Sequence, residues 1–124
     1  MDADYARNEW LAPLPRFEHS LFVLAAVMSR PSPQLAIVDA GLKAFAFDSG
    51  LPGTWQRPGI EYAKASDEHG FVSLSAGAKV ALGEKILFVP GHCDPTVNLY
   101  DWYVCVRDGV VEALWPVSAR GALY

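Results

Sequence analysis

The chain has 124 residues, of which 52% are hydrophobic, and it carries four Trp, five Tyr and six Phe; that suffices for one domain burying roughly two thirds of the surface its unfolded chain would expose. Its net charge is −4 and its lysines and arginines form no run, which excludes a polybasic patch for nucleic acid or a membrane surface. Two cysteines, Cys93 and Cys105, are too few for a secreted disulfide framework and fit a reducing cytoplasm.

In chain order, the first expected element is a short helix over Asp4–Leu11, the only helix candidate. The apolar run Leu21–Met28 is too short to span a bilayer. It follows Glu18 and His19 rather than a basic segment, so it does not read as a signal peptide. It reads as a buried strand broken by Arg30-Pro31-Ser32-Pro33. Leu35–Val38 and Ala44–Phe47 follow as strands, with Asp39-Ala40-Gly41 turning between them. A proline-glycine loop runs from Leu51 to Gly59, before a short strand at Ile60–Ala63. Phe71–Ser75 alternates apolar and polar, as a half-buried strand does. Gly83-Glu84 turns into the strand Lys85–Val89, which ends at Pro90.

The clearest local signal is a hairpin over Tyr103–Trp115. Asp108-Gly109 supplies the positive φ angles of a two-residue turn between β-branched strands. No repeat or low-complexity tract interrupts this pattern. Many short strands with regular turn signals predict a mainly β, compact barrel- or sandwich-like single domain over residues 1–124, with little helix.

The stretch Gly91-His92-Cys93-Asp94-Pro95-Thr96 is the chemical candidate. In an extended segment the side chains of His92 and Asp94 project to one face, because strand side chains alternate with period two, and Cys93 points the other way. An imidazole nitrogen and a carboxylate oxygen that converge make two ligands for Mn²⁺, Mg²⁺ or Zn²⁺, to be completed by water, a third residue or substrate. The plainer alternative is a turn in which Asp94 accepts backbone hydrogen bonds before Pro95 and His92 is exposed.

Other polar groups have two readings each. The loop Asp67-Glu68-His69-Gly70 is either a solvated turn closed by glycine or a source of pocket or outer-shell groups, Glu68 and His69. Asp39 and Lys43 flank a turn and can pair across it. His19 reads as a strand-edge residue. Tyr100, Trp102 and Tyr103 read as core and rim packing or, alternatively, as a ring that contacts substrate, and Cys105 as a small core hydrophobe.

Three stretches bear a resemblance. "VPGHCDPTVNLYDWYVCVRDGVVEALWPVSARG", "AIVDAGLKAFAFDSG" (Ala36–Gly50) and "DEHG" (Asp67–Gly70) resemble, in the same order, the C-terminal part of the D-threonine aldolase and D-serine dehydratase family. "MDADY" resembles the segment leading into that part. These are fold-type III pyridoxal-phosphate enzymes related in architecture to alanine racemase. The resemblance implies a β-rich C-terminal domain whose metal ligands fall on His92 and Asp94. Dehydratase-type members carry cysteine at the second ligand position, so Asp94 looks more like the aldolase type, which works with Mn²⁺ or a similar ion.

The implied reaction is retro-aldol cleavage of a D-3-hydroxy amino acid to glycine and an aldehyde, with pyridoxal phosphate as the electron sink. The metal lies near the β-hydroxyl and lowers its pKa. Family members carry an N-terminal α/β barrel with the cofactor lysine, and this sequence shows no such barrel. Lys43, Lys64, Lys79 and Lys85 sit in no cofactor context. The expectation is a domain inactive alone, completed by a barrel in cis or in trans, with a homodimer as the full-length form. The alternatives are a dehydratase-type domain and a non-catalytic β-module with a vestigial metal site. Without the barrel, apolar surface is expected to be exposed, with Trp10–Pro15 and Leu51–Trp55 as its candidates.

Overall fold

The computed structural model describes residues 18–122. The helix expected over Asp4–Leu11 and the apolar segment Trp10–Pro15 lie outside these residues. The chain runs through β1 (Val23–Ser32), β2 (Leu35–Val38), β3 (Gly53–Thr54), β4 (Ile60–Ala65), β5 (Gly70–Leu74), β6 (Lys85–Val89), a five-residue helix α1 (Cys93–Val97), β7 (Trp102–Arg107) and β8 (Val110–Pro116). Six strands form one antiparallel sheet in the order β3-β6-β1-β2-β5-β4. Its two ends approach each other, and the Thr54 hydroxyl donates to the Ile60 carbonyl at 2.5 Å across the gap. The sheet is thus a nearly closed barrel, the mainly β architecture expected from the sequence. Among the described residues no helix is long and apolar enough to cross a membrane.

β1 is the strand that curls the sheet. Its first half pairs with β6, from Val23 opposite Phe88 to Ala26 opposite Lys85. Its second half pairs with β2, with register shifts after Val27 and Ser29. Such irregularities bend a strand and tolerate proline, so the strand continues through Pro31 and Ser32, where the sequence suggests a break, and turns only at Pro33-Gln34. Where β1 passes from one partner to the other, Asp39 holds both sides of the ladder. Its N–H donates to the Ala26 carbonyl at 3.1 Å, and its carboxylate accepts the Ala26 N–H at 2.7 Å.

Inside the barrel, the small residues Ala25 of β1, Ala36 of β2 and Ala40 just beyond β2 leave room for Phe45, Tyr62 and Phe88. These rings meet edge-on, Phe45 with Tyr62 at 5.6 Å and Tyr62 with Phe88 at 5.5 Å between centroids, the geometry their quadrupoles favour. Tyr62 keeps its hydroxyl satisfied by donating to the Ala40 carbonyl at 2.6 Å. Gly70 makes space for that ring, since a Cβ there would overlap it.

Two expectations are corrected. Ala44–Phe47 is not a strand. The N–H groups of Ala44 and Phe45 both donate to the Gly41 carbonyl, at 3.0 and 3.1 Å, so a turn takes the bonds that a ladder would need, and Phe45 enters the core as a plug. The β7–β8 hairpin forms as expected, with Asp108 at φ 50° and Gly109 at φ 76°. Among the described residues it pairs only with itself, and Trp102 is 57% exposed and Cys105 only half-buried, rather than packed in the core.

Burial pushes the Tyr62 phenol from its ordinary 10.0 up to about 12. A raised pKa means the folded state holds the proton more tightly, so this contribution is complete below pH 10 and is lost as pH rises towards 12. Urea midpoints taken across that window are expected to fall for the natural chain. Tyr62→Phe should be less stable by about 1 kcal/mol near neutrality, through the lost hydrogen bond, with the difference shrinking between pH 10 and pH 12.

Candidate functional site

Three residues after β6, the chain reaches the histidine and aspartate singled out above. Pro90 and Gly91 are buried, and Gly91 presses against the turn Asp48-Ser49-Gly50. A Cβ at Gly91 would overlap the Gly50 carbonyl oxygen, so glycine alone permits this approach. His92 keeps extended backbone angles, φ −142° and ψ 126°, as the N-cap of α1. Asp94 and Pro95 fall in the first turn of α1. Proline is tolerated there because its missing N–H has no partner in the helix anyway, and the Asp94 charge suits the helix start. His92 and Asp94 therefore sit at a strand-to-helix corner, not along one extended strand as period-two alternation would have it.

The corner is fastened to segment 44–50 by side chains. Thr96, fully buried, accepts the Ala46 N–H at 3.2 Å through its hydroxyl. Tyr100 donates to the Ala44 carbonyl at 2.9 Å. At the outer edge, His92 Nδ1 lies 2.5 Å from Asp48 Oδ2, and Ser49 Oγ lies 3.3 Å from the same carboxylate oxygen. The hydrogen bond with the His92 imidazole holds the Asp48 carboxyl below the usual carboxylate range.

On the other side of the ring, His92 Nε2 faces Asp94 Oδ2 at 4.0 Å. An ion bonded at about 2.1 Å to both would need the donors about 3.0–3.4 Å apart in octahedral or tetrahedral geometry. The Asp94 side chain is 95% exposed, so rotation about its own bonds can close the difference. The donor set, one imidazole nitrogen and one carboxylate oxygen, fits a borderline-to-hard divalent cation. Among the described residues no group of three or more His, Cys, Asp or Glu converges as a ready-made cage. A cation on this pair would take water or other oxygen donors in its remaining positions.

The remaining candidates lie elsewhere or do other work. Glu68 pairs with Lys43, and both line a cleft of about 310 Å³ with Asp39, Leu24 and Tyr100. Lys43 thus pairs with Glu68, while the Asp39 carboxylate is used on β1. His69 closes the β4–β5 turn with its carbonyl, which accepts the Ser66 N–H at 2.8 Å. His19 stands edge-on to Trp55 at 5.4 Å, and Phe22 packs on the same indole at 5.2 Å. All four lysines are exposed, so none offers the sheltered amine that a pyridoxal-phosphate linkage requires, and the described residues do not fit that cofactor by themselves. The residue that sequence spacing misses is Asp48. Its only signal is its place in the stretch "AFAFDSG", 44 positions before His92.

Residues 20–106 match a family model described as "Putative serine dehydratase domain". Along its whole length the chain is 50% identical to 3-hydroxy-D-aspartate aldolase of Paracoccus denitrificans, and it covers 33% of that protein. The crystal structure of D-threonine aldolase from Filomicrobium marinum matches at 49% identity and TM-score 0.93, over 100% of this chain and 34% of that one. D-threo-3-hydroxyaspartate dehydratase from Delftia sp. HT23 matches at 27% identity and TM-score 0.62, over 77% of this chain and 31% of that one. A cysteine-to-alanine mutant of D-threo-3-hydroxyaspartate dehydratase is known in the metal-free form. The chain spans about a third of the length of the curated relatives it matches.

Thr96→Val keeps the shape of the buried side chain and leaves the Ala46 N–H without its acceptor. It is expected to destabilise the fold by about 1–3 kcal/mol, seen as a lower urea midpoint. The His92 ring resonances should broaden or shift in the same variant, because its anchor to segment 44–50 is loosened.

Proposed function

Because the chain belongs to the serine dehydratase domain family, we propose that it is the C-terminal, metal-binding domain of a D-threonine aldolase-like lyase that cleaves D-3-hydroxy amino acids to glycine and an aldehyde. The observation that carries this reading is the facing pair His92 Nε2 and Asp94 Oδ2 at the tip of a structured corner. Relatives half-identical to this chain act, by their names, on hydroxylated D-amino acids. The oxygen ligand favours the aldolase over the dehydratase reading, since the resemblance puts a thiolate at the second position in dehydratases.

In this reading His92 and Asp94 hold a divalent cation, Mn²⁺ first and Mg²⁺ or Zn²⁺ next. When bound, the cation lowers the pKa of a substrate β-hydroxyl and orients it for proton removal. Pyridoxal phosphate would be held by the rest of the parent enzyme, not by these residues, and would supply an electron sink there. This chain contributes position. The corner sets where the imidazole stands, and the exposed carboxylate leaves room for water and substrate oxygens around the ion.

The β7–β8 hairpin is the surface on which the cofactor barrel docks. Trp102, Val104 and Leu114 are 57–59% exposed, and Val104 lies directly opposite Leu114, so they form one apolar face next to the site segment. The loop Leu51–Trp55 serves this role less well, because Pro52 is buried and Trp55 is packed against Phe22. Cys105 is a free thiol, in keeping with a cytoplasmic enzyme, and the full-length form is a homodimer.

Titration of the chain with Mn²⁺, followed by calorimetry, is expected to show one site per chain, weakened at least tenfold in His92→Ala and in Asp94→Ala. Equal binding by all three proteins would remove the metal role and leave a vestigial β-module. For the docking face, sedimentation velocity should show concentration-dependent self-association that Val104→Lys combined with Leu114→Glu abolishes.

A further inference from the structure

Resting on that reading of the site, we infer that Asp48 is a positioning residue: its carboxylate accepts a hydrogen bond from the Nδ1–H of His92 and fixes the imidazole in the tautomer whose Nε2 lone pair faces Asp94. A neutral imidazole carries one N–H donor and one lone pair, and an ionised carboxylate only accepts. With Nδ1 at 2.5 Å from Asp48 Oδ2, the ring proton must lie on Nδ1, because two lone pairs at that distance would repel. In the neutral ring Nε2 is then the acceptor, on the side where Asp94 Oδ2 stands at 4.0 Å. An imidazole left to water favours the opposite tautomer, with its proton on Nε2, which would point a hydrogen at the place of the cation.

Three features make this arrangement built rather than incidental. Ser49 places its hydroxyl 3.3 Å from Asp48 Oδ2 and 3.4 Å from His92 Nδ1, so it borders both partners. The contact of Gly91 on Gly50 sets how close the two backbones come. The Thr96–Ala46 and Tyr100–Ala44 hydrogen bonds hold the segments in that register. A histidine whose outer nitrogen is steered by a carboxylate is also a better-oriented ligand.

The test needs no loaded enzyme. Long-range ¹H–¹⁵N correlation spectra of the metal-free chain, taken at a pH where the ring is neutral, should show a pyrrole-like Nδ1 and a pyridine-like Nε2 for His92. Asp48→Ala should revert the ring to the Nε2–H form, while Asp48→Asn, whose amide oxygen still accepts, should retain most of the natural tautomer. In a Mn²⁺ titration, Asp48→Ala should raise the dissociation constant about 10–100-fold, and Asp48→Asn by less. An unchanged tautomer in Asp48→Ala would overturn the assignment. Loss of the natural tautomer in a chain that never binds Mn²⁺ would keep the assignment and sink the metal reading instead.

Discussion

The site depends on one docking event, the seating of residues 91–100 on the turn segment 44–50. Its centre is the buried Thr96 hydroxyl, which accepts the Ala46 N–H. That N–H belongs to a stretch with no strand partner, and a buried donor without an acceptor costs about 1–3 kcal/mol. One side chain therefore completes the hydrogen bonding of an irregular segment and fixes the helix that follows His92. Gly91 makes the seating possible, since any side chain there would collide with the Gly50 carbonyl. The Asp48–His92 contact comes as a consequence of this seating, at the rim where both segments reach solvent.

The barrel beneath provides the rigidity. Phe45, from the same irregular segment, fills the interior against Tyr62 and Phe88, so the segment that carries Asp48 is anchored in the core three residues earlier. His92 is tied to the same core from the other side, because Phe88 and Val89 of β6 are buried and lead into it through Pro90 and Gly91. Both halves of the site thus hang from adjacent parts of one aromatic cluster. Positions held by packed rings stray less than positions held by loops alone, and this is the physical basis for an imidazole with a defined direction on an otherwise open surface.

The outer parts of the chain follow a different rule. The β7–β8 hairpin shares no ladder with the barrel, and its apolar residues face outwards. Two isolated strands are marginal in water. Its base is closed where the Val117 N–H donates to the Asp101 carbonyl at 2.9 Å and Arg120 pairs with Asp101, and it is tied back to the end of α1 where Arg120 Nε donates to the Asn98 carbonyl at 3.2 Å.

Local signals in the sequence determined the local elements. Alternation marked Phe71–Ser75, the Asp108-Gly109 pair marked the hairpin, and the spacing of His92 and Asp94 marked a pair of donors beside a proline. These signals are legible because each depends on residues a few positions apart, through strand period, turn φ angles or helix starts. Tertiary structure alone decided that Ala44–Phe47 would be a plug rather than a strand, since its backbone bonds go to a turn carbonyl and a distant threonine. It also placed the histidine at a helix corner and brought Asp48 to its Nδ1. No local pattern encodes that pairing: the two residues stand 44 positions apart and meet because residues 91–100 seat on segment 44–50 while the core holds Phe45 and Phe88 side by side.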